Sequence, residues 1–443
     1  MPLKLPYLSS HILAFCFGLL VGFKIIPANF VAALYCVIAV ICIKFALDSN
    51  ILKLFCTLPY LIYTEVYIRD AVISIPYLFL NYLYIVVFCI LLIRQRKSIN
   101  IAHSKLFILL LVYALLELND IFRSDDIEYA RFLITSSFSL SICAIWASNN
   151  FLSPKLLNRC FEHVKYAGIF LVGIIAVAHI KGNIQYGLHS SSQSSNGLAP
   201  VQLSAYLGFV SILFFFSIMN SRGKNLIIDL ILFLLTTITM ALTFSRGGLY
   251  FLGATVFIYI VLNRRDLKSY YLTILAIPII IFTYLFLISS TNGAIAKRFE
   301  MEGTSGRDRL VKAGLILFSE QPIAGIGTAN YNKAIARENL FEEELGSHNE
   351  FIRSLAEHGM LGFFTYWLFY IALFIEILRR NSVQREYAIY FFVLYCLMIV
   401  HNGLKISLQP LLLIFIMATP SLIIKRKTDN LKKLILNKKL LVN

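Results

Sequence analysis

Residues 226–250 read LIIDLILFLLTTITMALTFSRGGLY. The run 226–243 is close to the roughly 20 mostly apolar residues that one helix needs to cross a bilayer. The polar turn Thr243-Phe244-Ser245-Arg246-Gly247-Gly248 then leads directly into a second apolar run at 248–262. Two apolar helices joined by so short a turn form a membrane hairpin, with one arginine at the water boundary.

The same pattern repeats along the chain. Hydrophobic residues make up 58% of the 443 positions and charged residues only 14%, against about a quarter charged in ordinary soluble domains; mean hydropathy is +0.75. Roughly fourteen apolar segments emerge, at about 10–26, 29–46, 51–67, 72–93, 105–121, 130–147, 163–180, 199–219, 226–243, 248–262, 270–289, 360–378, 386–402 and 405–424. The fold class is therefore all-α, a polytopic integral membrane protein with roughly 12–14 transmembrane helices. Four parts follow: helices over 1–289, a large polar loop over 290–359, helices over 360–424, and a basic tail over 425–443. The first apolar run leads into another without an A-x-A-like site, so no cleavable signal peptide is expected.

A formal charge of +16 invites a nucleic-acid reading, but its distribution argues against that partner. Alternate loops are basic: Arg94, Arg96 and Lys97; Lys155 and Arg159; Arg222 and Lys224; Arg264, Arg265 and Lys268; Arg379, Arg380 and Arg385; then the tail from Lys425. By the positive-inside rule these face the cytoplasm, and an even helix count puts both termini there. The tail then lies on anionic headgroups as a topology anchor. Arg246, the 290–359 loop and His401 fall on the far side. Of eight cysteines, seven lie in or at apolar segments and Cys160 in a basic loop, which does not suggest a disulfide framework.

The loop concentrates the chemistry. Ser347-His348-Asn349-Glu350 has the form of a capping box, which would put His348 at a first helical position, kept neutral by the positive helix end. Gly306-Arg307-Asp308-Arg309 supplies guanidinium groups, which grip phosphate oxygens in a fork. An arginine near hydrocarbon, costing about 2.5–3.5 kcal/mol at a helix centre, marks Arg246 as functional by default, and Gly247 and Gly248 allow close approach by a ligand or a helix. Each has a bland alternative: Arg246 snorkelling to headgroups, Arg307 a solvated loop charge, His348 a structural histidine. Arg309, Lys312 and Arg353 are nearby alternatives for the clamp, and Glu350 and Glu357 read as capping or exposed carboxylates. A base beside an anion clamp suggests group transfer from a phosphorylated donor.

Other chemistries lack their motifs. There is no G-x-x-x-x-G-K-[ST], and Gly325-Ile326-Gly327 has no dinucleotide-site context. No His/Cys cluster suggests zinc. Asp120, Asp125 and Asp126 could hold a divalent ion, although a solvated acidic turn is the simpler reading.

The succession TFSRGGLY (243–250), SGRDRLVKAGLILFSEQPIAGIGTANYN (305–332) and SHNEFIRSLAEHGMLG (347–362) resembles the O-antigen ligase and polymerase superfamily of bacterial envelopes. The family pattern His-[Asn/Ser/Gln], nine residues, Gly-x-x-Gly is met by His348, Asn349, Gly359 and Gly362; Arg246 and Arg307 match its two arginines. The resemblance is specific over about 226–380 and architectural elsewhere. It implies a GT-C-like inner-membrane glycosyltransferase, inverting, with no metal and no cofactor. Its active site would be periplasmic and its donor a glycan on undecaprenyl diphosphate. Arg246 and Arg307 would neutralise the diphosphate and His348 would deprotonate the acceptor. Arg309, Asn349, Gly247 and Gly248 would line the substrate. The acceptor would be the lipid A core oligosaccharide for a ligase, or another lipid-linked repeat unit for a polymerase. A transporter of the same lipid diphosphate is a weaker reading, because it calls for charges along a path through the bundle.

Overall fold

The computed structural model describes residues 7–72, 75–95, 106–182, 184, 192–220, 224–263, 281, 283–301, 306–338, 346–380 and 382–418. Its helices are α1 (Tyr7–Gly22), α2 (Ala28–Leu47), α3 (Ile51–Ala71), α4 (Phe79–Arg94), α5 (Leu106–Asn119), α6 (Ile127–Asn149), α7 (Pro154–Lys181), α8 (Pro200–Asn220), α9 (Lys224–Leu242), α10 (Gly247–Leu262), α11 (Ala294–Met301), α12 (Arg307–Glu320), α13 (Tyr331–Arg337), α14 (Glu350–Leu378), α15 (Ser382–Asn402) and α16 (Gln409–Met417). Residues 283–290 are also helical. No strand occurs among the described residues. Among the described residues seven helices are long and apolar enough to cross a membrane, and α1, α4 and α10 are shorter apolar helices. The chain is a multi-pass all-α membrane protein, as helices whose backbone groups are satisfied internally require.

Most apolar segments coincide with helices, and three boundaries differ for local reasons. Helix α7 starts at Pro154 with Ser153 as its cap, the serine side chain accepting from the Leu156 amide. Lys155, Arg159 and Cys160 are thus in a helix and not a loop; the buried Cys160 donates its thiol to the Phe55 carbonyl at 3.0 Å. The segment at 72–93 becomes helical only from Phe79, after Leu78 in a left-handed conformation. The segment at 405–424 begins its helix at Gln409, leaving residues 403–408 as a loop. The basic tail 425–443 and most of the segment 270–289 lie outside the described residues.

Between apolar helices in lipid, close van der Waals approach replaces the hydrophobic drive, so small residues mark the tight contacts. Helices α1 and α7 meet at Gly18 and Gly173. A Cβ on Gly18 would lie 2.1 Å from the Phe170 carbonyl oxygen, and one on Gly173 would lie 2.4 Å from that of Phe15. Helix α14 is bent at Gly359, whose φ of 59° and ψ of −152° break the helix. There the loop 322–327 pairs with it: the Ile326 and Gly327 amides donate to the Ala356 and Glu357 carbonyls, and the Met360 amide donates to the Pro322 carbonyl. The bend separates a polar segment, 350–358, from the apolar remainder.

Gly173→Leu forces α1 and α7 apart and should cost about 1–3 kcal/mol, the usual penalty of overpacking. Thermal unfolding of the purified protein in detergent checks this, and an unchanged melting temperature would contradict the packing.

Candidate active site

The ends of α3, α5, α10, α12, α14 and α15 that carry polar groups gather at one end of the bundle. The turn before α10 is built by its own side chains. The Thr243 hydroxyl donates to the Met240 carbonyl at 2.7 Å and accepts from the Ser245 amide at 3.3 Å. The Ser204 hydroxyl of α8 donates to the Ser245 carbonyl and accepts from the Gly248 amide. Arg246 therefore caps α10 half-buried on a fixed backbone. The two glycines serve helix packing. A Cβ on Gly248 would strike Ser204 and Met240, and one on Gly247 would lie 2.5 Å from the ring of His401. Their exposed Cα faces are taken by protein.

Arg307 opens α12 after Gly306, which takes a left-handed φ of 74°. It is half-buried, whereas Arg309 and Lys312 are exposed. The Arg307 Nη2 lies 3.4 Å from the His401 Nδ1, which is itself 3.2 Å from the Asn402 Oδ1. One ring nitrogen cannot accept from a guanidinium and donate to an amide oxygen at once, so only one contact is a hydrogen bond in a given tautomer. Arg307, His348 and Arg246 all act electrostatically on the His401 ring, which places the three residues singled out from sequence around one imidazole.

His348 is not in a helix. Asn349 is the cap of α14, its side-chain oxygen accepting from the Phe351 and Ile352 amides at 3.1 and 3.4 Å. The helix begins at Glu350. The expected capping box of Ser347 and Glu350 does not form, because Asn349 is an equally good cap and the Glu350 carboxylate is engaged elsewhere. His348 instead holds a left-handed φ of 53°, a conformation costing about 1–2 kcal/mol in an L-residue. Burial pushes its pKa down to about 4, with Lys405 and then Arg307 adding to the effect. The imidazole is neutral as expected, but desolvation and two cations keep it so.

Glu350 and Glu357 are likewise not exposed. Glu117, Glu350, Arg353 and Glu357 are all at most 2% exposed. Arg353 Nη2 donates to the Glu117 Oε1 at 2.5 Å, its Nε to the Glu350 Oε1 at 2.9 Å, and its Nη1 to the Glu357 Oε2. The Tyr113 hydroxyl accepts from the Arg353 Nη2 at 3.1 Å, and the other Glu357 oxygen accepts from the Tyr331 amide at 3.1 Å. Arg353 is thereby committed to the scaffold and is no candidate for the anion clamp. Two of the three acids in the turn are committed too. Asp120 pairs with His358 Nδ1 at 3.0 Å, Asp126 caps α6 through the Tyr129 amide at 2.9 Å, and the Asp125 carboxylate lies 3.8 Å from Arg337. No group of three or more potential metal-binding side chains occurs among the described residues.

Sequence reading passed over Lys405. Its ammonium lies over the Tyr129 ring at 5.7 Å and would meet a Cβ on Gly346 at 2.7 Å, two residues before His348. Burial lowers its pKa while Glu350 opposes that shift. Position in an apparent transmembrane segment hid it; the glycine before it, in Gly403-Leu404-Lys405, was the available sign of a loop.

A family model described as O-antigen ligase matches residues 231–367. That segment contains Arg246, Arg307, His348 and Asn349, and it ends before His401 and Lys405. The match supports a membrane enzyme of the ligase or polymerase type. No curated protein matches the chain.

Removing the arginine from the buried network would strand three carboxylates. Arg353→Met should destabilise the protein by about 3–5 kcal/mol, the usual cost of breaking a buried ion pair from one side. Loss of monodisperse protein or a sharply lower melting temperature is the expected result, and wild-type stability would contradict it.

Proposed function

We propose that the protein is an inverting membrane glycosyltransferase that moves a glycan from undecaprenyl diphosphate to the lipid A core oligosaccharide, the reaction of an O-antigen ligase. The observation that carries the reading is the convergence of two guanidinium groups, Arg246 and Arg307, with a neutral imidazole, His348, around His401. A polymerase would use the same clamp and base on a lipid-linked repeat unit.

In the reaction the acceptor hydroxyl gives its proton to His348 as its oxygen attacks the anomeric carbon. The bond from that carbon to the diphosphate oxygen breaks on the opposite face, and the departing charge is taken by Arg246 and Arg307. Two fixed guanidinium groups do here what a divalent cation does elsewhere, so metal independence is part of the proposal. Asp120 and Asp126, each engaged by a protein partner, support it. The alternation of loop charge supports an inner-membrane protein whose site faces the periplasm. Of the lining residues, Arg309 is exposed and could only meet a distal part of the donor, and the Asn349 side-chain oxygen is already used by its helix.

A bound diphosphate would offset the field of Arg307 and raise the His348 pKa towards its ordinary value, which suits a base working near neutrality. In the free enzyme the proton-free form is lost only as pH falls through about 4. So kcat/KM should be flat from pH 6 to 8, while the acid limb of kcat should lie higher than that of kcat/KM. His348→Ala should lower kcat by about 10²–10⁴-fold with donor binding intact, and Arg246→Ala or Arg307→Ala should weaken donor binding as well as turnover by about 10²–10³-fold. Initial rates of glycan transfer in proteoliposomes test this; near-normal turnover by the histidine variant would remove it from the mechanism.

A further inference from the structure

The electrostatic neighbours of the site have an order. His401 feels Arg307, His348 and Arg246; His348 feels Lys405 and Arg307; Lys405 feels Glu350, Arg353 and Arg69. Lys405 thus neighbours His348, and its ammonium would meet a Cβ on Gly346, two residues before the base, at 2.7 Å. Arg69 and Lys405 are a second pair of cations in addition to the clamp arginines, and they act on each other electrostatically.

These cations sit on a row of aromatic rings. The Arg69 guanidinium lies over Tyr77 at 5.4 Å, Tyr77 meets Phe132 edge-on at 5.1 Å, and Phe132 meets Tyr129 at 5.6 Å. The Lys405 ammonium lies over the Tyr129 ring. The pieces come from the end of α3, the start of α4, the start of α6 and the 403–408 loop. Tyr77 is 43% exposed, so the row is open on one side.

The cations are incompletely satisfied. Arg69 has a side chain only 8% exposed, and its Nε faces the Asp70 carboxylate at 3.4 Å. Among the described residues its buried Nη2 has no hydrogen-bond partner. A guanidinium nitrogen left unpaired in a desolvated place is costly unless an acceptor arrives. Among the described residues no carboxylate comes within ion-pair distance of the Lys405 Nζ. Glu350, the acid that acts on it, gives its Oε1 to Arg353 and turns its Oε2 towards Gly403.

We propose that Arg69, Lys405 and the rings of Tyr77 and Tyr129 form the acceptor subsite, holding a phosphate group carried by the acceptor glycolipid beside His348. This rests on the glycosyl-transfer reading and extends it: donor diphosphate on Arg246 and Arg307, acceptor phosphate on Arg69 and Lys405, His348 as the base. Inversion requires two separate anion sites, because the attacking hydroxyl must enter opposite the leaving diphosphate. The rings offer apolar faces to sugar and hold the cations by cation–π attraction. An anionic phospholipid headgroup shares the same chemistry, and the test below separates the two sources.

The full-length protein is reconstituted in phosphatidylcholine vesicles with lipid-linked glycan donor, using lipid A core oligosaccharide before and after removal of its phosphates. Arg69→Gln and Lys405→Gln should each raise the acceptor KM about tenfold, the loss of one charged hydrogen bond, while the donor KM stays within about twofold. On dephosphorylated acceptor, wild type should already show the raised KM, and the variants should add nothing. Lys405→Arg, which keeps the charge, should recover most of the affinity and shows that the loss is not misfolding. Three results overturn the proposal: an unchanged acceptor KM in both glutamine variants, a penalty that persists on dephosphorylated acceptor, or a penalty seen only after phosphatidylglycerol is added to the vesicles. The donor reading fails separately, if Arg246→Ala and Arg307→Ala leave the donor KM unchanged.

Discussion

One guanidinium, Arg353, gathers Glu117, Glu350 and Glu357 in a buried network, and the geometry of the site depends on it. Glu117 ends α5, Glu350 begins α14, and Glu357 reaches the backbone of Tyr331 at the start of α13. The polar loop is thus fastened to the membrane bundle without disulfides; all eight cysteines are free. Buried ion pairs contribute little net stability over apolar replacements, but they are strongly destabilising when half-broken. Such a network fixes one arrangement at the expense of others. Here that arrangement fixes the start of α14, with His348 just before its cap Asn349.

Near that anchor stand four further cations, Arg246, Arg307, Lys405 and Arg69. The His348 imidazole is kept unprotonated by burial and by neighbouring positive charge. That field suits chemistry in which an anionic group leaves and a hydroxyl loses a proton, because negative charge develops where donors are already in place. The left-handed backbone of His348 fits the same account: strain of this kind persists only where surrounding structure holds it, and it collects at working sites.

The sequence made the membrane helices legible because length and apolarity are local properties, present in every segment independently. Arg246, Arg307 and His348 could be proposed from sequence because polar groups stand out beside apolar runs, and the structure places Arg307 and His401 within 3.4 Å of each other. What stayed hidden was pairing across the chain. Glu117 and Arg353 are 236 positions apart, and nothing local to Glu350 or Glu357 distinguishes a buried carboxylate from an exposed one. The capping box at Ser347 failed for a related reason, since its glutamate was drawn to Arg353 and the neighbouring Asn349 took over the cap. Lys405 was hidden by its apolar surroundings, which read as a continuous span although the helix begins only at Gln409.

The central claim is that a lipid diphosphate binds between Arg246 and Arg307 with its sugar turned towards His348. The most direct measurement is a cryo-electron-microscopy structure of the full-length protein in nanodiscs with a non-transferable undecaprenyl-diphosphate glycan analogue. The account predicts diphosphate oxygens within hydrogen-bond reach of both guanidinium groups, and the anomeric carbon facing the His348 ring. A diphosphate held elsewhere on the bundle, with both arginines unengaged, would contradict it.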